Sequence, residues 1–112
     1  MDDIISGAAA LGKKIAEHPK MTQFVAAVKA VQEDAEANGL LKDYREFSQQ
    51  IEAKSREGKP IEVEEKHKLA DLESKVAKND KIKAMIRGEA DYLDLMRKIN
   101  DAIDAAAAQA HQ

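Results

Sequence analysis

The sequence contains no cysteine. Without a thiol, the chain can form no disulfide, can supply no thiolate ligand to a metal or an iron–sulfur cluster, and can use no cysteine nucleophile. It also has no tryptophan, and only 5 glycines and 2 prolines stand among its 112 residues. Because a β protein of this size needs many turn residues, their scarcity favours an all-α fold.

Neither sign of charge dominates, and no long apolar run is present. The chain has 18 Lys and Arg against 21 Asp and Glu, interleaved to a net charge of −3. A direct nucleic-acid-binding protein would need a basic patch, which this pattern does not provide. The apolar stretch from Ile4 to Leu11 is too short to span a bilayer and follows no basic segment. We therefore expect a cytoplasmic protein that binds neither nucleic acid nor membrane.

Hydrophobic spacing predicts a bundle of α-helices. Apolar residues recur three and four positions apart, as they do on one face of a helix, and prolines and capping residues separate the segments. A chain of this length has room for one domain, residues 1–112. Its short connections predict long antiparallel hairpins. The predicted helices cover residues 3–17, 62–78 and 80–107, with one break inside the helical stretch 21–57.

The position of that break is open from the residues alone. Asn38-Gly39 is typical of a helix C-terminus. Asp34 followed by Glu36 is instead typical of a helix start, since a helix N-terminus favours acidic residues.

The last predicted helix carries the longest apolar stripe in the chain, which starts at Ile82 and ends at Ile103. Its positions alternate three and four residues apart, which is the spacing of a surface that packs against other helices. The shorter, Ala-rich helices offer little to cover this stripe, so self-association into a homodimer or a larger oligomer is expected. The candidate interface consists of Met85, Glu89, Tyr92, Met96 and Ile99.

Glu89 interrupts the apolar stripe. An unpaired carboxylate that loses its water costs several kcal/mol, so Glu89 must reach solvent or meet a cation or a hydroxyl group. In one interpretation the stripe opens to water at this point. In the other, Glu89 is a polar residue that fixes register or partner choice within an interface.

Glu64 and His67 offer a metal-binding alternative. They form a Glu-x-x-His pair, which carboxylate-bridged di-iron bundles use. Such sites need two of these motifs and two further glutamates, whereas this chain has a single copy. A solvated helix face is the simpler explanation. Since no Ser-His-Asp arrangement, phosphate-binding glycine loop or HExxH motif is present either, we predict no enzyme, no metal site and no cofactor.

A family resemblance is carried by the segment from Asp34 to Tyr44. It reads Asp-Ala-Glu-Ala-Asn-Gly-Leu-Leu-Lys-Asp-Tyr and resembles the YlbF/YmcA family of small helical bacterial regulators, which commonly has Asp-Pro-Glu-Ala before two apolar residues. The family's proline falls at Ala35, a first-turn position that tolerates proline. The resemblance therefore implies that Asp34 is the cap and that the helices cover 21–33 and 35–57. Other elements of the family pattern occur in the same order as in the family, at Leu11-Gly12, Gly58, Lys78-Asn79 and residues 90–103.

The resemblance implies a regulatory or adaptor role. Family members act in bacterial developmental control, such as competence, biofilm formation and sporulation, and associate with RNA-processing machinery through ribonuclease Y. Some of their complexes hold iron–sulfur clusters, to which a chain without cysteine contributes no thiolate. This member then works without the cluster, or a partner supplies the ligands. The alternatives are a structural or chaperone-like helical oligomer and, as a third, a metalloprotein using Glu64 and His67.

Overall fold

The computed structural model describes residues 2–111, and these are almost entirely α-helical. Five helices and no strand occur within this range, which confirms the predicted all-α fold class. No helix among them is both long enough and apolar enough to cross a membrane. The helices are α1 (Asp2–Glu17), α2 (Pro19–Glu33), α3 (Ala35–Arg56), α4 (Val63–Lys78) and α5 (Asp80–Gln109).

The break between α1 and α2 is a single residue, His18. Its Nδ1 accepts a hydrogen bond from the Lys20 backbone N–H at 3.0 Å, and its carbonyl accepts from the Met21 N–H at 3.0 Å. The second helix therefore starts at Pro19 instead of the predicted residue 21. Proline is well tolerated there because a first-turn N–H needs no partner within the helix.

Asp34 separates α2 from α3. Its φ of −102° and ψ of 114° are extended, and its Oδ1 accepts a hydrogen bond from the Ala37 N–H at 2.9 Å. Its Oδ2 accepts a second one from Lys81 Nζ at 2.6 Å. The bond from Lys81, followed by the one from Ala37, lowers the pKa of the Asp34 carboxyl. Asn38-Gly39, the other candidate for the break, lies inside α3.

The described chain divides into two compact units. One is Ala27–Met85, and the other consists of the described residues up to Ala26 and from Ile86 onward, which we call the terminal unit. Every buried apolar side chain of the described residues belongs to Ala27–Met85. The single-domain organisation stays a prediction. The buried residues are Val31, Ala37, Leu41, Ile51, Leu72, Val76, Ile82 and Met85.

Within Ala27–Met85, α3 and α4 form an antiparallel hairpin. Near the connecting turn, Lys54 Nζ lies 2.6 Å from Glu65 Oε1. Further along, Lys68 Nζ lies 4.5 Å from the centre of the Phe47 ring. The Lys54 hydrogen bond, together with one from the Glu62 backbone N–H, lowers the pKa of Glu65. These contacts join α3 to α4 both at the turn and further along the hairpin.

Candidate interaction surface

The first turns of α5 are anchored in the Ala27–Met85 unit. Asn79 Oδ1 accepts a hydrogen bond from the Ile82 N–H at 3.0 Å, which caps the helix. Ile82 is 0% exposed and Met85 is 7% exposed. Met85, the first residue of the predicted interface, is therefore already covered by its own chain.

From Ile86 onward, α5 packs against the start of α2 in the terminal unit. The Phe24 and Tyr92 rings are stacked, with centroids 5.5 Å apart and planes inclined by 25°. A Cβ atom added to Gly88 would lie only 3.1 Å from Phe24 Cα. Because glycine has no Cβ, the two helices can approach closely at this point.

Gly88 had no role in the interpretation of the sequence. The stripe was defined by large apolar side chains, and a glycine adds nothing to such a pattern. Its position four residues before Tyr92 nevertheless places both residues on one helical face. A glycine four residues before an aromatic residue of the apolar stripe is the signal that could have predicted a close contact between two helices.

The other predicted interface residues differ in exposure. Tyr92, Met96 and Ile99 are half-buried, whereas Glu89 is exposed. The five residues therefore do not form one evenly accessible surface. Their part in binding a partner stays a prediction, and the exposed position of Glu89 agrees with the interpretation in which it reaches solvent.

The terminal unit exposes several large apolar side chains. Among the described residues, seven such side chains are strongly exposed, and six of them belong to this unit. None of its described residues is buried. Exposed apolar surface concentrated in one part of a protein is typical of a binding site. The six residues and their exposed fractions are Ile4 69%, Ile5 64%, Val25 52%, Ile86 52%, Leu93 55% and Ile103 51%.

Charged residues on the second half of α5 pair within the helix. Asp94 accepts from Arg97 at 2.6 Å and lies 3.0 Å from Lys98, and Arg97 also lies 3.8 Å from Asp101. The hydrogen bond from Arg97, followed by the one from Lys98, lowers the pKa of Asp94, while Asp94 raises the pKa of Arg97. Two acids and two bases share this part of the helix, so it presents no basic patch.

The residues of the metal-binding alternative lie on α4. Glu64 and His67 are both exposed. Among residues 2–111, no group of three or more His, Cys, Asp and Glu side chains is placed to hold a metal ion. The geometry therefore gives the metalloprotein alternative no support.

A groove in the Ala27–Met85 unit lies between the start of α3 and the end of α4. Its lysines and acids mix both signs of charge, and its lining includes no histidine or hydroxyl side chain. The groove therefore lacks a hydroxyl nucleophile activated by histidine. The lining residues are Glu36, Leu40, Lys75, Lys78, Asn79 and Asp80.

Most of the chain matches the model of a known protein family. Residues 4–106 match the model of a family described as "Control of competence regulator ComK, YlbF/YmcA". The chain belongs to the YlbF/YmcA family. The family resemblance in the segment from Asp34 to Tyr44 is thereby confirmed. The description of this family is that of a regulator.

Relatives in sequence and structure resemble most of this YlbF/YmcA chain. A UPF0342 protein of Lactobacillus helveticus is 38% identical over 76 residues, which are 68% of this chain and 66% of the relative. A UPF0342 protein of Lactobacillus acidophilus is 28% identical over 99 residues, 88% and 85% of the two chains. The crystal structure of Bacillus subtilis RicA in complex with RicF matches with a TM-score of 0.85 and 22% identity, over 98% of this chain and 97% of RicA. At that identity, the structural match supports the fold.

Proposed function

We propose that this chain is a non-enzymatic regulatory adaptor that acts by binding proteins, including further copies of itself. The exposed apolar surface of the terminal unit is the observation that carries the proposal. Two similarities agree with it. The family is described by the control of a regulator, and RicA, whose fold is similar, was solved in complex with another protein, RicF.

The buried residues of the described chain lie outside the terminal unit, which leaves that unit weakly stabilised by its own packing. The terminal unit has no buried residue among 2–26 and 86–111, so it has little core of its own. Covering a large apolar side chain contributes about 1.5–3 kcal/mol relative to leaving it in water. A partner that covers several of the exposed side chains would therefore stabilise this unit as well as bind to it.

The charges favour a protein as the partner rather than nucleic acid. On the second half of α5, Asp94 and Asp101 accompany Arg97 and Lys98, so local charges nearly cancel. Nucleic-acid binding depends on unneutralised Lys and Arg side chains. In this proposal, contact with an RNA-processing complex in the cytoplasm is made through one of its protein components.

Mutation of the half-buried part of α5 tests the self-association. We expect the wild-type chain to be a dimer or larger by light scattering at micromolar concentration. Replacing both Tyr92 and Met96 by Asp should lower the mass to that of a monomer, because two carboxylates would be desolvated in the contact. Unchanged mass would remove Tyr92 and Met96 from the interface.

A matched control separates the loss of an interface contact from the general effect of adding two negative charges. Ala70→Asp with Ala77→Asp also adds two carboxylates, at exposed positions of α4, and should leave the mass unchanged. Circular dichroism must show that both variants stay helical, because Tyr92 also stacks on Phe24.

The identity of bound proteins tests the adaptor role. In a pull-down from the native host, we expect components of an RNA-processing or regulatory complex, and fewer of them with the Tyr92 and Met96 double variant. Recovery of unfolded proteins of many kinds would contradict the proposal and favour a chaperone-like oligomer.

A further inference from the structure

Ile86 and Leu93 form a second, shorter apolar stripe on α5, beside the one from Ile82 to Ile103, and the described residues leave it largely uncovered. Ile86 and Leu93 are 52% and 55% exposed, and a spacing of seven residues places them on one face of the helix. Successive residues in an α-helix point about 100° apart. Leu93 therefore points away from the side on which Tyr92 stacks against Phe24, so the start of α2 does not cover this stripe.

Opposite charges flank Leu93 symmetrically. Glu89 precedes it by four residues and Arg97 follows it by four, so both are neighbours of Leu93 on the helix surface. Both are exposed. The stripe therefore has an acid on the N-terminal side of Leu93 and a base on its C-terminal side.

We propose that two copies of this chain pair through this stripe, with their α5 helices antiparallel and Leu93 at the twofold axis. In this register, each Glu89 lies level with Arg97 of the partner subunit, which gives two ion pairs. A parallel pair would instead place Glu89 beside Glu89 of the partner subunit, and like charges repel. The inference rests on the proposed self-association and adds its orientation and register.

Arg97 can take part without giving up its bond within the helix. A guanidinium group has five N–H donors in a planar fork, so it can bind Asp94 and a carboxylate of a second chain together. Two apolar side chains cover much less than the roughly 800 Å² per partner of a standard stable interface. We therefore expect a concentration-dependent dimer that dissociates on dilution.

Single-cysteine variants test the register on a chain that has no cysteine of its own. Packed helices lie roughly 8–10 Å apart, which brings facing Cα atoms to roughly 5 Å, within disulfide range. Leu93→Cys should therefore form a covalent dimer on mild oxidation. Glu89→Cys should not, because the two copies would lie roughly 12 Å apart along the helix axis. An equimolar mixture of Glu89→Cys and Arg97→Cys chains should crosslink. A mixture of Glu89→Cys and Lys98→Cys chains should not, because Lys98 lies on another face of α5.

The possible results separate this inference from the self-association on which it rests. A dimeric wild type whose Leu93→Cys variant fails to crosslink would overturn the register and leave the self-association standing. Efficient crosslinking of Glu89→Cys with itself would show a parallel pair and overturn the orientation. A chain that is monomeric at all concentrations would overturn both proposals.

Charge reversal gives a second test that needs no oxidation. Glu89→Arg should weaken the dimer by about tenfold, since two ion pairs become repulsive contacts. Adding Arg97→Glu should recover most of the lost affinity. Absence of recovery, in a double variant that stays helical, would overturn the pairing of Glu89 with Arg97 of the partner subunit.

Discussion

Phe24 and Tyr92 are stacked with their ring centroids 5.5 Å apart, and this contact joins the start of α2 to the first half of α5. One residue belongs to α2 and the other to the long apolar stripe of α5, so their contact joins distant parts of the sequence. Tyr92 is thereby half-buried in its own chain while the next residue, Leu93, stays exposed.

A double-mutant cycle measures the strength of this contact. Phe24→Leu and Tyr92→Leu keep apolar side chains but remove the stacked rings. Because aromatic pairs contribute about 0.5–1.5 kcal/mol beyond the area they bury, we expect a coupling free energy of that size in urea unfolding. Strictly additive losses would show that the rings do not interact.

Glycine substitutions should change stability in opposite directions at two helical positions. Gly88→Ala would place a Cβ 3.1 Å from the Phe24 backbone, whereas a Cβ at Gly39 meets nothing within 4 Å. Alanine favours a helix over glycine by about 1 kcal/mol, but forced overpacking costs about 1–3 kcal/mol. We expect Gly39→Ala to stabilise the chain and Gly88→Ala to destabilise it in chemical denaturation. Equal stabilisation by both would contradict the close approach of the helices.

Asp34 should make stability depend on pH in the acid range. Its pKa is lowered below the ordinary value of 3.8 by Lys81 and the Ala37 N–H, so the unfolded chain binds a proton more readily than the folded one. The resulting stabilisation is present above pH 3.8 and is lost as the pH falls through the folded-state pKa. Other carboxyl groups respond in the same direction, so a matched variant is needed.

Asp34→Ser provides that variant, because serine also caps helices but carries no charge. We expect the difference in unfolding free energy between wild type and Asp34→Ser to be largest near neutral pH and to shrink on acidification. A difference that stays constant with pH would mean that the carboxylate contributes only as a cap.

The unequal distribution of buried residues predicts unequal costs of truncation. Ile82 is 0% exposed in the Ala27–Met85 unit, whereas Ile103 is 51% exposed in the terminal unit. Ile82→Ala should cost about 2–5 kcal/mol by leaving a cavity, and Ile103→Ala should change stability by about 0.5 kcal/mol or less in a dilute, monomeric sample. Thermal unfolding measures both, and comparable losses would contradict the location of the core.

Much of the fold follows from local features of the sequence. Apolar spacing predicted the helices, because a helix that buries one face repeats every three to four residues. Pro19 separates α1 from α2 and is the first residue of α2, since the residue before a proline disfavours a helix and the first turn after it tolerates one. The two candidate breaks at Asp34 and Asn38-Gly39 could not be separated by local preference alone.

The candidate surface was harder to predict, because exposure depends on which side of a helix its neighbours occupy. Met85 and Leu93 are both apolar residues of one helix, yet the former is 7% exposed and the latter 55%. Spacing shows that a stripe packs against something, but it does not show whether the neighbour belongs to the same chain. The close contact at Gly88 was missed for the same reason.

Light scattering over a range of concentrations tests most directly the claim that the exposed apolar side chains of the terminal unit bind other copies. We compare the wild type with Leu93→Asp and with Val63→Asp, a matched change at an apolar residue that is 64% exposed in the other unit. We expect a mass that rises with concentration to at least that of a dimer for wild type and Val63→Asp, and a monomer for Leu93→Asp. A monomeric wild type at every concentration, or an oligomer unaffected by Leu93→Asp, would contradict it.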